Sequence, residues 1–433
     1  MKSIVVIPLF VLVILTSLYC QPVTYYSDIR NIINQNCISC HNLNGIAPFA
    51  LEDLEQVIAH KSIIRSVVEK NIMPPWKPDP NYTHFLDERI LSLTDKQKII
   101  DWIQQGCQPG TPGTDNTSQQ SEIRKNRPTD LVLKLPFAIK IMASTTDTTV
   151  LVEMPYEIDR DTVVSSYEFV PARNAGIHHV FITIEKADKP DAQKSDYEDV
   201  QGLDFWDGKA FHERLSYLYV SFAGNWRPGL SVTSMPAHVG WRIPKKGLLL
   251  YQLHYGPSPV AFTSEFELRF NYSKDTVERS PDGRKFGSQG NFAPPYPPLV
   301  VPADSIMRFT LNGPIDTDYS IVAISPHMHL LGKSVRAWIL KANGDTIRLI
   351  SIKDWDFNQQ EFYYPPTLIK AEKGDMLQAE AVLDNTSSNI KNPNKPPKLV
   401  KYGPLTSNEM IQISIYIVPY RRGDEKISAK SDN

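Results

Sequence analysis

The sequence predicts a multidomain chain: a small all-α module followed by two all-β sandwiches of jelly-roll-like form. Three observations lead there. The chain has 433 residues, more than one hydrophobic core usually supports. Its 34 prolines and 19 tyrosines favour short strands and frequent turns over long helices. Helical spacing of apolar residues is confined to the N-terminal quarter, and period-two patterns dominate the rest. With 46 basic against 48 acidic side chains, the net charge of −2 offers no field for a nucleic acid or an anionic membrane, so small or neutral partners fit better.

The chain opens with Lys2 and an apolar run from Ile4 to Leu18, the pattern of a signal peptide over residues 1–20. Cleavage after Cys20 is expected. Lipid attachment at Cys20 is the rival, disfavoured by Tyr19 before it. No comparable apolar run recurs, so the mature chain is expected to have no transmembrane span and to be exported, either periplasmic or secreted. Beyond Cys20 only Cys37, Cys40 and Cys107 remain, too few for a disulfide framework, so the domains must fold on packing alone. Cys107 reads as a buried or free thiol.

Residues 22–113 form the helical module. Residues 25–35 and 51–70 place Leu54, Val57, Ile58, Ile64, Val67 and Val68 at helical spacing. A third helix is marked by Thr94 and Gln97 as a capping box, by Ile99, Ile100, Trp102 and Ile103 as its apolar face, and by Gly106 as its end. Cys37, Cys40 and His41 make CxxCH, in which two thiols add to haem vinyl groups and the adjacent imidazole reaches the iron. One covalent haem c, and hence a cytochrome c domain, is the expectation. A zinc site would need further ligands that no second Cys pair supplies. The sixth ligand is assigned to Met73, held by Pro74 and Pro75, with His60 and His84 as competitors.

A polar Gly/Pro/Ser/Thr-rich stretch places a linker at 114–128. The first sandwich spans 129–275, with strand-like segments at 131–142, 150–158, 162–170, 178–185, 216–222, 247–255 and 263–272. Charged residues and Pro294, Pro295, Pro297 and Pro298 mark a second linker at 276–298. The second sandwich spans 299–422, with segments at 305–311, 319–329, 334–340, 346–352, 375–383 and 410–418, and 423–433 is a polar tail.

Histidines cluster in these strands. His327 and His329 stand at i and i+2, so both imidazoles project from one face, and Met410 at the head of the last strand would add a soft donor suited to Cu(I). His178 and His179 are adjacent and point to opposite faces of a regular strand, so they share a metal only at a bulge or strand end. His254 lies in Gln252-Leu253-His254-Tyr255. His60, His84, His212 and His238 read as ordinary hydrogen-bonded residues.

On these residues, 129 to about 420 resembles the type II copper monooxygenases, the family of peptidylglycine α-hydroxylating monooxygenase and dopamine β-monooxygenase. The matching features are His178-His179, the later His254, Trp226-Arg227-Pro228-Gly229, Val239-Gly240, the His327/His329 pair with Gly332-Lys333, and Met410. The resemblance implies two copper ions, one on His178, His179 and His254 and the catalytic one on His327, His329 and Met410. It also implies a small-molecule substrate hydroxylated at a C–H bond with O2, and an external reductant or redox protein. The substrate-anchoring Arg of the peptide-amidating members is absent, and Ser325, Gln412 and Ser414 occupy the anchoring positions, so peptide amidation is not expected. The fused haem suggests electron delivery to the three-His site. Two alternatives are a non-catalytic haem and copper protein that carries electrons or binds copper, and an adhesion or carbohydrate-binding sandwich, for which no aromatic platform stands out.

Overall fold

The computed structural model describes residues 22–43, 47–112, 129–145, 148–172, 176–186, 202–205, 220–230, 232–288, 293–403 and 405–431. The expected leader with Cys20, all of the expected first linker, and His212 lie outside them. The chain is mostly β-sheet. Among the described residues, no helix is long and apolar enough to cross a membrane.

The first helix opens with a π turn, Tyr25–Ile29, and continues as Arg30–Asn36. The segment read as one helix over 51–70 divides at His60 into Leu54–Ala59 and Lys61–Glu69, because the His60 backbone leaves helical geometry. The last helix, Leu93–Gln104, begins two residues before the expected box. Ser92 accepts from the Asp95 backbone N–H and donates to the Asp95 carboxylate, while Gly106 takes the expected left-handed conformation past the end. Tyr25, Ile29, Ile33, Val57, Ile99 and Trp102 make the core of this module, and Cys107 is buried with them.

The first sandwich packs two five-stranded antiparallel sheets. One is built on Phe266–Tyr272 and Thr162–Pro171. The other runs in the order Gly202–Phe205, Thr148–Glu157, Lys246–Tyr255, Ile177–Lys186, Val220–Trp226. The long strand expected from 131 breaks into Leu131–Lys134 and Ile139–Ile141, since Pro136 cannot donate to a ladder. The second sandwich pairs two four-stranded sheets. One is ordered Asp282–Gly287, Ile411–Pro419, Tyr319–Met328, Ile369–Ala371, and the other Ile306–Pro314, Met376–Asp384, Gly332–Leu340, Thr346–Ile352. Asp282–Gly287 falls inside the stretch read as a linker. Its charged residues sit on an edge strand, where polar side chains are tolerated, and this hid it from the apolar pattern.

The sandwiches share a core. Val322, Ala323, Tyr364, Leu368, Tyr416 and Val418 pack into the cluster of the first sandwich, and the Tyr416 hydroxyl donates to the Ala223 carbonyl. The segment 74–91 of the helical module straps onto the second sandwich. Pro78 bridges Ile352, the Leu86 N–H donates to the Tyr364 carbonyl at 2.7 Å, and Lys77 pairs with Asp354. At the junction of all three parts, the buried Glu361 carboxylate binds Arg89 of the strap and Arg227 of the first sandwich, each at 2.7 Å.

Candidate metal centres

In the first sandwich, His254 pairs with His179 across the ladder, and the next residue, Tyr255, pairs with Ile177. His178 is therefore the extra residue of a bulge, the irregularity that lets two adjacent imidazoles approach one side. The His179 and His254 ring centroids are 4.7 Å apart, and those of His178 and His254 are 6.4 Å apart. Gly256 makes room for this. A Cβ there would stand 2.3 Å from His178 Nε2. Burial, followed by the neighbouring His254, His178 and His327, holds His179 neutral far below the usual histidine range. Among the described residues its buried Nδ1 has no hydrogen-bond partner, the condition of a donor atom that a cation would satisfy.

In the second sandwich, His327 pairs with Gln412 and Met328 with Ile411, so Met410 stands one position past the ladder, opposite His329. Opposed residues of an antiparallel pair share a face, which places His327, His329, Met410 and Gln412 on one side of the sheet. The two imidazole centroids are 5.1 Å apart and nearly perpendicular. His327 Nδ1 is held by the Gln360 side-chain oxygen, and His329 Nδ1 lies 3.2 Å from the Asn408 carbonyl. Each ring thus has Nδ1 on an outer partner, the arrangement of a histidine that binds metal through Nε2. Burial, with His329 beside it and Lys285 on the edge strand beyond Ile411–Pro419, pushes His327 down to about 3.

Glu409 ties this arm together. Its carboxylate accepts the backbone N–H groups of His329 at 3.1 Å, Met410 at 3.0 Å and Leu331 at 2.8 Å. Burial raises its pKa to about 7 against those three donors. Ser325 and Ser414 are cross-strand partners on the same face, and Gln412 Nε2 donates to Ser414 Oγ at 2.6 Å.

The two clusters face each other. The buried Phe357 ring lies 6.2 Å from His179, 5.5 Å from His254 and 5.9 Å from His329. Among the described residues no three His, Cys, Asp or Glu side chains are gathered closely enough to form a finished cage. The donors gather as imidazoles with Met410 alongside, and burial holds His179 and His327 neutral, a set whose chemistry suits copper.

The CxxCH turn continues the first helix. The Cys37 N–H donates to the Ile33 carbonyl at 2.8 Å, and the His41 N–H donates to the Cys37 carbonyl at 2.9 Å. Cys37 and Cys40 are free thiols, and burial pushes Cys37 up to about 12. His41 Nδ1 lies 3.0 Å from the Phe49 carbonyl, which fixes a tautomer with Nε2 available, so these residues fit a covalently held haem. Phe49 lies against both His41 and His60. Met73 is 39% exposed on the loop that leads into the strap. His84 pairs with Glu88.

Residues 309–431 match the family model of the copper type II ascorbate-dependent monooxygenase C-terminal domain. This monooxygenase match includes His327, His329 and Met410, and it supports a copper-dependent monooxygenase class of function. No curated protein matches the chain. Solved structures with some similarity include the major capsid protein P2 of bacteriophage PM2, with 8% identity and a TM-score of 0.25, covering 68% of this chain and 99% of that one. The cowpea mosaic virus top component gives 8% identity and a TM-score of 0.26, covering 66% and 79% respectively. Similarity at this level carries no argument.

Sequence reasoning missed Phe357, Gln360, Glu361 and Glu409. The first three lie in a segment without periodicity. Glu409 carried one usable signal, an acidic residue directly before the candidate ligand Met410.

Proposed function

We propose that the chain is an exported copper-dependent monooxygenase that hydroxylates a substrate C–H bond with O2, with electrons supplied through a fused c-type haem. The observation that supports this reading is the two histidine clusters brought against one ring, Phe357, one of them inside the monooxygenase match. His178, His179 and His254 would hold one copper, and His327, His329 and Met410 the second. Copper bound there supplies one-electron redox chemistry and a site for O2. Two electrons are needed to insert one oxygen atom and release the other as water.

The chain's own residues do the preparation. Gln360 and the Asn408 carbonyl fix the two imidazoles, and Glu409 fixes the register of Met410 against His329. Ser325, Gln412 and Ser414 form a small polar floor beside His327 for a substrate. Cys37, Cys40 and His41 would attach the haem.

The test is O2 uptake by the reduced, copper-loaded protein over a panel of candidate substrates. Substrate-dependent uptake that disappears in His329→Ala and Met410→Ala, with the haem spectrum unchanged, supports the reading. Absence of substrate-dependent uptake over the panel would favour an electron carrier or copper-binding protein.

A further inference from the structure

The CxxCH turn sits directly on the first sandwich. A Cβ on Gly229 would lie 2.9 Å from Cys40 Sγ and 3.5 Å from Ser39 Oγ, and Gly229 has a φ of +86°, so this approach needs glycine twice over. The turn that carries Gly229 starts at Trp226, whose indole N–H closes it by donating to the Leu230 carbonyl at 3.0 Å. Trp226 ends the strand Val220–Trp226 and pairs across the ladder with Val180, the residue after His179. From the haem-attachment sulfur to the three-His cluster there is thus one van der Waals contact, one turn of backbone and one cross-strand pairing.

A second route leaves the same turn through Arg227, crosses its ion pair to Glu361, and reaches His327 through the adjacent Gln360. It adds two non-covalent steps along long side chains, against one cross-strand step on the first route.

We propose that the turn at 226–229 is the electron-input contact of the copper half. The contact between Cys40 and Gly229 takes one electron from ferrous haem, which becomes ferric. The turn passes it through Val180 to cupric ion at His178, His179 and His254, which becomes cuprous. This rests on the haem and copper reading above and adds to it the residues that join the two.

The experiment uses the full haem- and copper-loaded protein. The haem is photoreduced, its reoxidation is followed optically, and loss of the cupric signal is followed by electron paramagnetic resonance. Gly229→Ala should slow both by an order of magnitude while leaving the haem spectrum, the haem potential and direct reduction of copper by ascorbate unchanged. Trp226→Phe removes the bond that closes the turn together with part of a buried indole packed on Phe169, and it should slow transfer less, in the same direction. Unchanged transfer in both variants would overturn the contact and leave the haem reading standing. Slowing by Gln360→Leu in their place, with both copper sites kept saturated, would reroute the electron to the His327 cluster and also overturn it. A wild-type protein without covalent haem, or one whose haem reoxidation ignores copper, would overturn the haem reading and this contact with it.

Discussion

Replacing Glu361 with glutamine should destabilise the protein far more than a single surface charge would. The carboxylate is shared by Arg227 and Arg89 at 2.7 Å each, and the Arg227 and Glu361 side chains are each only 6% exposed. Burial alone would raise the Glu361 pKa, but the two guanidinium groups outweigh it and hold the carboxyl below its ordinary range. Glutamine keeps the shape and can still accept one bond, yet it leaves Arg227 as a buried cation without a counter-charge. Breaking a buried pair from one side costs about 3–5 kcal/mol, and the retained bond puts Glu361→Gln near about 3. Arg89 is 20% exposed, so more of the loss belongs to Arg227. Urea denaturation followed by tryptophan fluorescence measures it, because Trp76 lies under the Arg89 guanidinium at 4.8 Å and reports the junction directly. A double-mutant cycle with Arg227→Met should give a double variant less destabilised than the sum of the two single ones. A loss under about 1 kcal/mol, as for solvent-screened pairs, or strict additivity would refute the reasoning.

Three further outcomes are expected. Gln360→Leu removes the partner of His327 Nδ1 and should weaken copper binding at the His327 cluster by roughly 10–100-fold, measured by competition with a Cu(I) chelator; unchanged affinity would show that the ring needs no outer support. Phe357→Ala empties a buried position, 7% exposed, between the clusters, and should cost about 3 kcal/mol in urea denaturation, with a loss below about 1 kcal/mol counting against the packing described. In the copper-free protein, His327 is depressed to about 3 while its unfolded counterpart titrates near about 6.5. The unfolded state therefore binds more protons in that window. The His327 contribution is full above about pH 6.5 and is lost as the pH drops toward about 3, while Glu409, raised to about 7, acts in the opposite sense; the acid loss of stability should therefore be smaller in His327→Gln than in the parent, and an identical acid limb in the two would refute the assignment.

The sequence by itself determined the kind of chain this is. Period-two apolar runs marked nearly every long strand, because alternation is a local property of a half-buried strand. The spacing of His327 and His329 already placed two imidazoles on one face, and CxxCH placed two thiols and an imidazole in one turn. Where the pattern was not local, reading stopped. Asp282–Gly287 is an edge strand with polar positions. The pairing of His178 with His179 made geometric sense only with a bulge, and the register between Ile177–Lys186 and Lys246–Tyr255 supplies it.

Only the tertiary structure decided how the parts meet. Phe357, Gln360 and Glu361 come from an aperiodic stretch, and each acts on residues far away in sequence: His179 and His254, His327, and Arg89 with Arg227. The turn Trp226-Arg227-Pro228-Gly229 was visible as a motif, but its two contacts, Arg227 with Glu361 and Gly229 with Cys40, join three separately patterned segments. The physical reason is one of range. Burial patterns follow from a residue's near neighbours in the chain, whereas buried charge pairs and close backbone approaches depend on which surfaces the folded modules present to each other.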